Sequence, residues 1–117
     1  MSFRFENFDI WKLAMDFGEI INELSEEFPQ KERFNLSSQI LRAVDSVALN
    51  ISEGSIEQSD VEFNRFLGYS VRSLAEVVCC LHKAKRRSYM SDEYFEELYA
   101  KAYLLTNKII AFKRRLK

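Results

Sequence analysis

Three glycines and one proline in 117 residues leave this chain almost without turn chemistry. Sheet sandwiches and barrels need a turn about every 8–12 residues, so an all-β fold is effectively ruled out. What can be built from so few breaks is a small number of long helices. Apolar residues at 47% and charged residues at 30% supply a core and a solvated surface, as a soluble globular domain of this length needs. No apolar run approaches the roughly 18 residues of a membrane span and no leader opens the chain, so a cytoplasmic protein without membrane contact is expected.

Periodicity places four helices, at about 9–28, 36–53, 60–87 and 92–116, in a single domain spanning 1–117. Ile10, Leu13, Ala14, Phe17, Ile21, Leu24 and Phe28 share one face of the first, opened by Asn7 or Asp9 and stopped by Pro29. The second opens at Asn35, turns Leu36, Ile40, Val44, Val47 and Ile51 inward, and is closed by Gly54 in a left-handed turn. The third opens with Ser59 and Glu62, spaced as a capping box, and carries the stripe Phe63, Phe66, Leu67, Ser70, Leu74, Val77, Val78, Leu81 and Ala84. The fourth opens at Ser91 and repeats Phe95, Leu98, Ala102, Leu105, Ile109, Phe112 and Leu116 at strict 3-4 spacing, the seam of a left-handed bundle. Short links between long helices predict an all-α, antiparallel up-down-up-down four-helix bundle.

Catalytic chemistry finds no foothold. His82 is the lone histidine, and no Glu-x-x-His pair accompanies it, so neither a metal nor any other cofactor is expected. Adjacent Cys79 and Cys80 point about 100° apart on a helix and read as reduced, packed thiols. No phosphate loop or nucleophile elbow is present. Glu19, Glu23, Glu26 and Glu27 read as a solvated face. The chain reads as no enzyme.

Several segments between Phe8 and Leu74 carry a likeness. Phe8-Asp9-Ile10-Trp11-Lys12-Leu13-Ala14, Phe28-Pro29 and Glu32-Arg33-Phe34-Asn35-Leu36 form its first part. Gln39-Ile40, Arg42-Ala43, Ser46-Val47, Asn50-Ile51-Ser52-Glu53-Gly54 and Ser73-Leu74-Ala75-Glu76 form its second. On these the sequence resembles the bacterial four-helix-bundle proteins encoded within intervening sequences of 23S ribosomal RNA genes. The resemblance implies the bundle, a ring-shaped homo-oligomer with pentameric relatives, and no established activity. It also makes Gln39, Arg42, Asn50, Glu53, Gly54, Ser73 and Glu76 structural motif residues. A related bundle accompanies reverse transcriptases in diversity-generating retroelements, where a basic barrel engages RNA and the polymerase.

The residues themselves add two surfaces. Trp11, Met15, Gly18 and Asn22 form a second uncharged stripe on the first helix, and Tyr99, Tyr103, Thr106 and Ile110 another on the fourth. Such stripes exceed what a bundle core needs and suit contacts between copies, with Trp11 or Tyr103 covered between subunits. On the second helix Gln39, Arg42, Ser46, Asn50 and Glu53 make a polar ridge, matched on the third by Arg65, Tyr69, Arg72 and Glu76. Either it locks helices together or it meets a ligand. The first 60 residues hold 5 basic and 12 acidic side chains, the remainder 12 and 6. Basic residues gather at Lys83, Lys85, Arg86 and Arg87, and again at Lys113, Arg114, Arg115 and Lys117. Both clusters suit a helix C-terminus electrostatically, and repeated around a ring either would also suit a phosphate backbone. The first is the expected RNA contact, since the second sits at a terminus prone to fray, and Tyr89 and Tyr94 stand ready to stack on bases. A non-catalytic, RNA-binding accessory of structured RNA or a nucleic-acid enzyme is one reading. A self-assembling scaffold without nucleic acid is the other.

Overall fold

The computed structural model of the chain describes residues 1–116. They form four helices and, among the described residues, no strand: α1 (Asp9–Glu26), α2 (Leu36–Ser55), α3 (Asp60–Arg86) and α4 (Asp92–Arg115), with 3-10 turns at Arg4–Asn7 and Gln30–Glu32. The helix starts show two kinds of capping. Ser59 Oγ accepts the Glu62 amide at 3.2 Å and Ser91 Oγ accepts the Tyr94 amide at 3.1 Å, as their sequence positions predict. The Glu62 carboxylate does not complete a capping box; it turns to Arg65 at 3.2 Å. Neither Asn7 nor Asp9 caps α1, which begins after Phe8 with no side-chain bond, and Asn35 does not cap α2. Glu32 does that work from the preceding turn: its Oε1 accepts the Leu36 amide at 3.4 Å and Asn35 Nδ2 at 3.1 Å.

The helix ends hold the main correction. α2 does not close on a left-handed Gly54; the helix continues to Ser55, and no described glycine has positive φ. Gly54 is small for a different reason. A Cβ there would stand 2.6 Å from Phe66 Cβ and 2.9 Å from Phe63 Cδ1, so α3 crosses it at backbone range. The left-handed residue is Ser88, φ 63°, after α3. Its amide bonds Lys85 O at 3.0 Å and the Tyr89 amide bonds Ala84 O at 2.9 Å, the paired closures of a Schellman turn. α1 ends two residues short of Phe28, which remains buried while Pro29 leads into the next turn.

The four stripes meet in one cluster of buried side chains, with Ile21, Leu36, Ile40, Ile51, Leu67, Leu74, Leu81, Leu98 and Ile109 fully enclosed. α1 packs on α2, α2 on α3, α3 on α4, and α4 returns to α1. The molecule measures 44 × 23 × 23 Å, and the 27 residues of α3 alone reach about 40 Å, nearly its whole length. α2 and α3 make the most extensive pairing, and small side chains permit it. Fully buried Ser70 satisfies its hydroxyl on Val47 O at 2.8 Å, and Ser46 Oγ donates to Ser73 Oγ at 2.6 Å.

Candidate interaction surfaces

The stripe expected on α1 lines a groove of about 490 Å³ between α1 and α2, floored by Gly18 and Ala48 and walled by Trp11, Met15, Leu49 and Phe5. Met15 is 44% and Leu49 56% exposed. Trp11 is half-buried within the chain itself, because the N-terminal turn folds back on it: Phe5 meets its ring edge-on at 5.1 Å, and Phe3 stacks on Phe5 at 5.6 Å. Arg4 fastens this turn, donating to Ser55 O at 3.0 Å with its guanidinium 5.3 Å from the Phe63 ring. Leu49 and the two Phe residues are not legible in the sequence as part of this surface. Leu49 lies off the core stripe, and the turn at 4–7 has no helical period to betray its facing.

The α4 stripe forms a second apolar surface. Tyr99 and Tyr103 stack at 6.3 Å, with Tyr103 60% exposed and Leu104, which lies outside the stripe, 53%. His82 joins from α3, edge-on to Phe95 at 4.8 Å. A groove of about 250 Å³ runs beside this row between α3 and α4, lined by Val71, Ala75, Val78, Tyr99 and Tyr103. The α1/α2 and α3/α4 grooves are separate surfaces.

The polar ridge is mostly exposed: Arg42, Glu53, Arg65, Tyr69, Arg72 and Glu76 face solvent, while Gln39, Ser46 and Asn50 are half-buried. Asn50 Nδ2 donates to Ser46 O at 2.8 Å, Arg42 to Ser38 Oγ at 3.2 Å, and Arg72 lies 5.7 Å from the Tyr69 ring. Only Ser46 and Ser73 join across helices. The ridge therefore locks α2 to α3 at one point and otherwise serves its own helix.

The basic cluster at 83–87 is divided. Lys83 and Arg86 are exposed. Lys85 stands 3.9 Å from Asp92 and 4.6 Å from the Phe95 ring centroid. Arg87 is committed: its Nη1 donates at 2.9 Å to Oε2 of Glu32, a buried carboxylate. Tyr89, expected to be free for stacking, donates its hydroxyl to the same oxygen at 2.6 Å and packs 5.5 Å from Phe28. The Tyr89 hydroxyl, then the Leu36 amide, Asn35 and Arg87, hold the Glu32 carboxyl below its ordinary pKa against the opposing effect of burial. The same bond to Glu32 raises the Tyr89 phenol. Tyr94 is half-buried, its phenol raised by desolvation and by Glu27, Glu97 and Glu23. A buried carboxylate cannot go unpaired, so the nearest cation and hydroxyl are drawn to it rather than left to solvent.

In the second basic cluster Lys113 is tied to α3. Lys113 Nζ donates to Asn64 O at 2.9 Å and Oδ1 at 2.6 Å, and Asn64 Nδ2 returns a bond to Lys113 O at 3.0 Å. Arg115 lies 5.5 Å from the Phe112 ring, Arg114 is exposed, and Lys117 lies outside the described residues. Cys80 is buried, its thiol pushed up to about 11 chiefly by desolvation, while Cys79 is exposed. Among the described residues no three His, Cys, Asp or Glu side chains converge to hold a metal, and no helix is long and apolar enough to cross a membrane.

The described residues thus form an all-helical fold of four helices with two exposed apolar faces and basic runs at the ends of α3 and α4. Residues 6–111 match the family model of the 23S rRNA-intervening sequence protein, and the chain belongs to that family. Among solved structures it is similar to a protein of unknown function of the S23 ribosomal protein family from Bacteroides thetaiotaomicron. The TM-score is 0.82 at 23% identity, over 89% of this chain and 97% of that one, which establishes the shared fold. No curated protein matches the chain.

Proposed function

We propose that this protein is a non-catalytic, self-assembling accessory: a single up-down-up-down bundle that closes into a homo-oligomeric ring, a pentamer by the family resemblance. The observation that carries this reading is a pair of separate apolar faces, Trp11–Met15–Leu49 along the α1/α2 groove and Tyr99–Tyr103 along the α3/α4 groove. A chain with two different sticky faces assembles head-to-tail, and such contacts close into rings when the rotation between copies permits. The up-down order is supported by bonds between helix ends: Asn64 at the start of α3 with Lys113 at the end of α4, and Glu32 before α2 with Arg87 after α3.

The assembly is tested by light scattering on wild type, Met15→Glu and Tyr103→Glu. Each substitution places an unpaired charge in a face and dissociates the ring, and mixing the two variants leaves one intact contact and yields a dimer. A wild type of monomer mass at tens of micromolar overturns the reading.

A second reading adds RNA to this ring, favoured by the exposed, unpaired Lys83 and Arg86 and by the family's link to ribosomal RNA genes. Repeated around one rim, these cations would bind phosphate with a salt-dependent affinity. The testing variant is Lys83→Gln/Arg86→Gln, since replacing Arg87 would break the Glu32 pairing as well. Weaker binding with a shallower salt slope supports RNA; a wild type that binds no structured RNA at low salt leaves the scaffold alone.

A further inference from the structure

At the end of the bundle built around Glu32, the aromatic residues nearest the cations are spent, Tyr89 on Glu32 and Tyr94 in partial burial. One aromatic there is not. Phe34 is 87% exposed, in a link whose flanking Glu32 and Leu36 are both buried. The backbone is thus anchored on each side while the ring stands in water, a placement that core packing does not require. The Arg33 guanidinium carbon lies over the ring, 5.2 Å from its centroid, so a cation already sits against one face. Phe34 borders an open depression of about 720 Å³ that also takes in Gln30, Ser37 and Ser38, groups able to donate to and accept from a base edge. Ser38 Oγ accepts from Arg42 at 3.2 Å, which brings a second guanidinium to the same place, and Lys31 is exposed on the link. The acid at this lip, Glu26, accepts a bond from Asn22 at 3.4 Å.

We propose that Phe34, backed by Arg33, is a stacking platform for one unpaired base of single-stranded RNA, with Arg33 and Arg42 against its phosphates. The inference rests on the RNA reading above and gives it a base-contacting residue. The ligand is single-stranded because a duplex keeps its base faces covered, whereas an exposed aromatic flanked by guanidinium groups recruits splayed bases by their π faces. Anchoring on both sides of Phe34 lowers the ordering cost that a flexible loop would pay.

The experiment measures fluorescence anisotropy of labelled oligouridine and of a hairpin duplex RNA across a potassium chloride series. The proteins are wild type, Phe34→Ala, Phe34→Leu, Phe34→Trp and Arg33→Gln/Arg42→Gln. Without the stacked base, oligouridine binding weakens roughly five- to hundredfold in both Ala and Leu variants, while Trp retains it. The salt slope is unchanged in these variants, because every phosphate keeps its cation. In the double Arg variant it falls by about 0.7 for each phosphate no longer neutralised. A wild type that binds RNA and a Phe34→Ala variant that binds it equally well overturn the platform and leave the RNA reading standing. A wild type that binds no RNA at any salt concentration removes both. A change of assembly mass in Phe34→Ala assigns the ring to a subunit contact instead and also overturns the proposal.

Discussion

Alanine at Gly54 and alanine at Gly18 are the same chemical change in the interiors of two helices, and the structure gives them opposite signs. In either helix, alanine gains about 1 kcal/mol of backbone propensity over glycine. At Gly18 nothing lies within 4 Å of the added methyl, which enters the open α1/α2 groove, so the gain is kept. At Gly54 the methyl meets Phe66 Cβ at 2.6 Å. That atom is fixed to the α3 backbone and no rotamer moves it, so the helices must part by about 1 Å to reach ordinary carbon–carbon distance. Parting stretches the Ser46–Ser73 and Ser70–Val47 bonds, now 2.6 and 2.8 Å, which sit on the same seam. Overpacking at about 1–3 kcal/mol and roughly 1 kcal/mol from weakened hydrogen bonds outweigh the propensity gain, leaving a net loss of about 2 kcal/mol. For a chain of this length that lowers the thermal midpoint by about 8 °C, while Gly18→Ala raises it by about 4 °C. Urea and thermal unfolding at one protein concentration read both. Equal midpoints for the two variants would refute the close α2–α3 approach.

Ser88→Gly stabilises the protein by about 1 kcal/mol, because the left-handed turn at φ 63° costs serine what glycine does not pay, and Ser88→Val destabilises it; urea midpoints decide. The Glu32 network makes stability fall at both pH extremes. Glu32 has a folded pKa below its unfolded one, so its contribution is whole above the unfolded carboxylate range and is lost as pH falls through the folded value. Tyr89 has a raised folded pKa, so its contribution is whole below the unfolded phenol value and is lost as pH rises through the folded one. Urea midpoints against pH therefore flatten on both limbs in Tyr89→Phe, and unchanged limbs would contradict the bond. In the native protein a thiol reagent labels Cys79 and spares Cys80, buried and protonated up to about pH 11; two equal fast thiols would place Cys80 at the surface.

What is readable in the sequence is what its local spacing encodes. The stripes of α2 and α4 can be read residue by residue, because 3-4 recurrence fixes a face before any partner is known. Ser59 and Ser91 are equally legible as caps, since a hydroxyl and the amide it accepts lie three residues apart. Gly54 shows the boundary. A glycine suits a left-handed turn or a close crossing, both of which exclude a Cβ, and Phe66 decides between them from another helix. Ser88 gives no sign, because serine is no marker of positive φ. The basic cluster is visible as charge, but its division is not: Arg87 and Tyr89 reach Glu32 across 55 and 57 residues, and a run of cations does not say which one a distant carboxylate will claim.

That carboxylate also sets an order of events in folding. α2 and α3 are joined by the four residues Ile56–Ser59, so their pairing closes a short loop and is available early. The knot at Glu32 requires both the start of α2 and the end of α3 in place, so it forms after the hairpin that brings them together. An interaction absent from the transition state leaves the folding rate alone and acts on the reverse step. Removing one long-range bond while leaving the α2 cap in place, as Tyr89→Phe does, is therefore expected to speed unfolding in stopped-flow denaturant jumps while refolding keeps its pace.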